Sequence, residues 1–294
     1  MNRRSLASSL DALYQAYNRS DSAADPVNLV HPFPDPADRE VAAFCAAALA
    51  FGRVASVMPS LGTLFRLMGP HPAAYVRRFD PRAAHPDLRG MVHRWTRGVD
   101  LAALLWILRQ MLETSGSIER FFAEGLADGD VDIGPALDRF STRALAIDVR
   151  PAYGRVPPRP GVCYFFPRPS AGSACKRLNL YLRWMVRHDE VDMGVWRTVT
   201  PARLIVPLDT HVIRLGRCLR LTRYVSPGWK MAAEITASLR RLDPADPVRF
   251  DFSLCHVGMM NACGFGRRQG DAQCPLRGLC RPRRPPARRG PRPS

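Results

Sequence analysis

Residues 207–222 read PLDTHVIRLGRCLRLT, and how this stretch is taken decides the fold. An apolar approach, LIVPL, ends at Asp209. From Thr210 onward Val212, Leu215 and Leu219 recur at three- and four-residue spacing, the period of a helix buried along one face. Asp209 stands at the N-cap, where a carboxylate accepts from the unbonded N–H groups of the first turn and contributes ~1 kcal/mol. A cap also fixes where its second oxygen points, so Asp209 is a candidate for structural and chemical work together. His211, in the first turn, reads as structural.

The same period extends in both directions. Residues 6–17, 38–52, 54–68, 99–113, 117–125 and 134–146 carry apolar stripes, as do 174–187, 210–221, 228–241 and 248–260. No stretch alternates apolar and polar residues for long, so the expected class is all-α. Residues 149–172 contain six prolines and are expected to be irregular, dividing residues 1–280 into two helical lobes. Residues 281–294 hold six arginines and five prolines. Such a tail cannot pack a core and is expected to be disordered.

Charge narrows the partner. The chain has 43 basic residues against 26 acidic ones, a net charge of +17. A field of that sign draws polyanions, and nucleic acid leads. The longest apolar run, residues 41–52, is too short to span a bilayer, which takes about 20 residues. Eight cysteines are too few for a disulfide scaffold and suit a reducing cytoplasm.

Of the 43 basic residues only Lys176 and Lys230 are lysines. Lys176 lies at the start of the 174–187 helix, with Ser173 the expected N-cap. Helix starts prefer acids, so a cation there breaks a local rule, and such breaks tend to mark function. An amine can become a nucleophile, whereas a guanidinium stays protonated. On the same helix Lys176, Arg183 and Arg187 form a basic stripe opposite the apolar one, and with Arg177 and Arg214 they are the expected DNA-phosphate contacts.

PLDTHVIRLGRCLRLT resembles the segment that carries the catalytic aspartate in the helix–hairpin–helix (HhH-GPD) DNA glycosylases, the superfamily of endonuclease III and adenine glycosylase. Asp209 falls on that aspartate. The spacing to Lys176 and the CKRLNLYLRWM context look more like archaeal 8-oxoguanine DNA glycosylase, which makes Lys176 the Schiff-base lysine. From roughly residue 25 to 280 the chain is also similar to an uncharacterised bacterial family placed in this superfamily, through REVAAFCAAALAFGRV, GSIERFF, KRLNLYLRWMVR, VPLDTHV and DPVRFDFSLCHVGM. The resemblance implies a two-lobed fold and base-excision repair of double-stranded DNA by a monomer, with a glycosylase step and an associated abasic-site lyase step. The alternative is a nucleic-acid-binding protein that kept the fold without the chemistry.

Cys255, Cys263, Cys274 and Cys280 lie within 26 residues, spaced C-x7-C-x10-C-x5-C. The CPLRGLC ending resembles the last two ligands of the iron–sulfur loop in endonuclease III, though Asp271 stands where that loop has its second cysteine. Four thiolates so close suit a [4Fe–4S] cluster or a structural zinc.

Overall fold

Every stretch read above as a helix folds as one. In the computed structural model, which describes residues 3–19, 25–259 and 274–280, the chain begins with α1 (Arg3–Tyr17), α2 (Pro36–Leu49) and α3 (Val54–Met68). Two short helices follow, α4 (Pro72–Arg77) and α5 (Pro86–Gly90), then a hairpin of β1 (Val92–His93) and β2 (Thr96–Arg97). Beyond it come α6 (Gly98–Ser115), α7 (Ile118–Ala123), α8 (Gly134–Ala146) and the single turn α9 (Arg150–Tyr153). The second half holds α10 (Lys176–Val186), α11 (Thr210–Cys218), α12 (Trp229–Arg240) and α13 (Asp251–Met259). Cys263 and the 281–294 tail lie outside the described residues.

Two acids on α2 show how local signals serve distant partners. Asp35 caps the helix itself, accepting from the Ala37 N–H at 2.7 Å. Asp38 and Glu40, one turn on, are each 4% exposed. Asp38 accepts from the Ala73 N–H at 2.8 Å and so caps α4. Glu40 accepts from the Ile118 and Glu119 N–H groups at 3.0 and 2.6 Å and from the Trp196 indole at 2.9 Å. It thereby supplies the start of α7 with its acceptors. Burial still holds the Glu40 carboxyl above its ordinary range, against those three donors.

The proline-rich segment does not separate the chain into independent cores. It contains α9 and two 3-10 turns, and it is strapped onto α6: the Tyr153 hydroxyl donates to Asp100 at 2.6 Å and accepts from the Val162 N–H at 3.2 Å. The buried apolar side chains on either side of it form one continuous cluster. α2 from the first half packs on α10 from the second, and α1 packs on α13. Both helical halves therefore share one interior. That closure carries the start of α10 to the end of α2, and the start of α11 to α13. No helix among the described residues is long and apolar enough to cross a membrane.

Candidate functional site

α10 starts later than its sequence suggests. Ser173 does accept from a backbone N–H, that of Cys175 at 3.2 Å, but the helix begins only at Lys176. Between them Cys175 takes φ 48° and ψ 34°, a left-handed conformation that costs a side-chain-bearing residue ~1–2 kcal/mol. The turn aims the two following side chains at α2. The Lys176 amine donates to the Ala50 carbonyl at 3.3 Å, and Arg177 Nη1 donates to the Ala48 carbonyl at 2.9 Å. Ala48 lies in the last turn of α2 and Ala50 is its C-cap, the end of a helix that has no helical donors left and carries the negative end of the dipole. The broken rule at the start of α10 is thus compensated across the fold.

Asp209 divides its two oxygens. Oδ1 caps α11 through the Val212 N–H at 2.7 Å, as its N-cap position foretold. Oδ2 accepts from the Cys255 thiol on α13 at 3.0 Å. Burial pushes that thiol well above its ordinary range, and the Asp209 and Asp251 carboxylates push it further, while Lys176 works against them. Asp209 therefore bonds the Cys255 thiol directly, while Lys176 bears on it only through its charge. Their described bonds run to Ala50, Val212 and Cys255 rather than to each other. His211 packs against α13 at Gly258, where a Cβ would fall 2.5 Å from its own.

The profile of one protein family, "Protein of unknown function (DUF2400)", matches residues 25–260. The chain belongs to this family. No curated protein and no solved structure matches it. The match takes in Lys176, Asp209 and Cys255 and ends before Cys263, Cys274 and Cys280.

Two of the arginines expected on DNA in this DUF2400 chain face inward, which corrects the basic stripe. Arg183 and Arg187 are each 3% exposed. Arg183 bonds Asp192 at 3.1 Å and Asp251 at 2.5 Å. Arg187 holds Asp189 at 2.8 Å, Asp246 at 2.9 Å, and Asp192. Burial alone lowers a guanidinium; here the carboxylates more than reverse it, and both stay firmly charged. Two guanidinia thus face four carboxylates. With negative charge in surplus, burial holds Asp251 above its ordinary range, and Asp209 adds to the rise. The stripe's periodicity was sound, but the aspartates that turn it inward come from the 188–193 loop and from residues 246 and 251.

Arg177 is half-buried, and burial lowers it to about 10. Its guanidinium lies 5.0 Å over the Phe51 ring, so it joins α10 to α2. Arg214 is different: it is exposed and lines an open groove of about 800 Å³ between α11, the following loop and α12. Arg217, Arg220, Arg223 and Arg241 line it too, with Glu234 the acid among them. The signal was legible as arginine at every third position from 214 to 223. Arg220 has φ 57°. The Leu221 N–H donates to the Gly216 carbonyl at 2.7 Å and the Arg220 N–H to the Arg217 carbonyl at 3.1 Å. This is a Schellman ending whose left-handed position is glycine's usual place.

Three of the four cysteines expected to bind a metal, Cys255, Cys274 and Cys280, lie among the described residues. Cys255 donates its proton to Asp209. Cys274 is buried and Cys280 half-buried. Among the described residues no three potential ligands gather.

Proposed function

We propose that this DUF2400 chain acts on DNA in the manner of a helix–hairpin–helix glycosylase with an associated lyase step. The observation that carries the reading is that Asp209, at the start of α11, bonds the Cys255 thiol, on which the charge of Lys176, at the start of α10, also acts. A target nucleotide is extruded from the duplex so that its sugar reaches the pair. The neutral Lys176 amine, released from Ala50, attacks C1′ of the deoxyribose. The electron pair of the glycosidic bond departs with the base, which takes up a proton. Asp209 stabilises the cationic sugar and accepts a proton from the attacking amine. Ring opening leaves an imine on Lys176, and loss of a C2′ proton then breaks the bond from C3′ to its phosphate. Duplex phosphates lie along the groove of α11 and α12, which five arginines line.

One observation favours the binding-only alternative. Lys176 serves the end of α2, and both Asp209 oxygens already have donors. Borohydride trapping on an abasic duplex separates the two readings. The wild-type chain is expected to form a covalent adduct. Lys176→Arg is expected to bind equally and trap nothing, because charge is kept and the nucleophile lost. A wild-type chain that binds duplex but never traps leaves a DNA-binding protein. A [4Fe–4S] cluster or a structural zinc on Cys255, Cys263, Cys274 and Cys280 belongs to the same proposal; elemental analysis showing about four irons per chain supports the cluster, and neither iron nor zinc ends both.

A further inference from the structure

The β1–β2 hairpin carries an exposed aromatic shelf beside the start of α10. Val92 pairs with Arg97 and His93 with Thr96, so Arg94 and Trp95 form a two-residue loop. Trp95 is 53% exposed, and Tyr164, its neighbour at 6.2 Å between ring centroids, is 58% exposed. Beneath Trp95 the Phe51 ring stacks at 4.7 Å and 29°. Phe51 directly follows Ala50, whose carbonyl receives Lys176, and it is covered on another side by the Arg177 guanidinium.

The shelf is held rigidly. His93 is buried, with one ring nitrogen 3.0 Å from the Ser60 hydroxyl and the other 3.0 Å from the Phe51 carbonyl. The hairpin is therefore pinned both to α3 and to the residue under Trp95. Arg94 has φ 56°, at the first central position of the turn, where glycine is usual. Its guanidinium lies 5.2 Å from the Trp95 ring centroid. Arg53 and Arg97 are exposed, two residues along the chain from Phe51 and from Trp95. A large apolar ring kept in water, stiffened from below and flanked by guanidinia is costly unless something covers it.

We infer that Trp95 is a stacking platform for an unpaired nucleobase, with Arg94, Arg53 and Arg97 holding the adjoining phosphates. A nucleobase offers a flat face for the indole, and its strand offers the negative charge that three arginines require. A base paired within a duplex has no such face to give, so the ligand is single-stranded or locally unpaired nucleic acid. The inference rests on the nucleic-acid reading above but not on the lysine chemistry.

The test measures binding of the full chain to a fluorescent single-stranded oligothymidylate and to a duplex of equal length. Trp95→Ala is expected to weaken single-strand binding by roughly 5- to 100-fold, the range for losing one stacked base, while Trp95→Phe retains most of it. Arg94→Gly suits the turn better and so raises the melting temperature, yet it makes the single-strand salt dependence shallower by about 0.7. Single-strand affinity within twofold of wild type in Trp95→Ala, with an unchanged melt, overturns the platform. So does a chain that binds duplex and no single strand, an outcome that leaves the glycosylase reading standing. Trp95-dependent binding by a chain that never traps has the opposite meaning: the platform stands and the lysine chemistry falls.

Discussion

Two sets of arginines lie within 60 residues of each other in this chain, and they do opposite things with the same side chain. Arg183 and Arg187 on α10 are buried among Asp189, Asp192, Asp246 and Asp251. Arg214, Arg217, Arg220, Arg223 and Arg241 line an open groove with Glu234. The first set uses its charge inside the protein, tying α10 to α13, to the loop that follows α10 and to the loop before α13. The second turns its charge outward. A net charge of +17 therefore says how much positive charge exists, and only burial and acid partners say where it acts.

The contrast is broken most directly by stability. Arg183→Ala leaves Asp251 buried without its guanidinium and Asp192 with Arg187 alone, and is expected to cost about 3–5 kcal/mol in urea unfolding. Arg217→Ala, at an exposed position, is expected to stay within about 0.5 kcal/mol of wild type. Equal losses in the two variants end the distinction.

The buried set also has a pH signature. Asp251 is held above its ordinary range in the folded chain, mainly by burial, so between about pH 4 and its folded pKa the native state binds more protons than the unfolded state. Stability attributable to this group is greatest in acid and falls as pH rises through that window, by at most about 1.4 kcal/mol per pH unit. Asp251→Asn cannot titrate and is expected to flatten the decline, whatever it does to absolute stability. Parallel wild-type and Asp251→Asn curves place the surplus proton on another carboxylate.

The groove is sharpened by a substitution whose two effects have opposite signs. Arg220→Gly relieves the left-handed backbone and is expected to raise stability by about 0.5–1 kcal/mol. The same change removes one cation from the groove, so the slope of log affinity for duplex DNA against log salt is expected to become shallower by roughly 0.9. A stabilised protein with an unaltered slope makes Arg220 no phosphate contact.

Lys176 and Cys255 show what a reading of local pattern reaches and where it stops. The lysine's rarity and its place at a helix start singled it out correctly as unusual. Its described partner is Ala50, 126 residues earlier, and no spacing near 176 points there. Cys255 looked like one thiol of a metal quartet because three others follow it. Its thiol also donates to Asp209, 46 residues earlier, whose N-cap role was the feature of the site that spacing alone could reveal.

What the sequence determined by itself is where most of the helices lie and, for several, how they begin and end. Apolar period, caps and prolines act within a few residues, so α3 and α8 start and stop where their residues say. The tertiary structure alone decided which charges meet. Asp192 and Asp251 lie 9 and 68 residues beyond Arg183, and only the packing of α10 against the rest of the core brings them to one guanidinium. Coulomb energy depends on distance and on the water left between charges, and both are set when the helices close on one another.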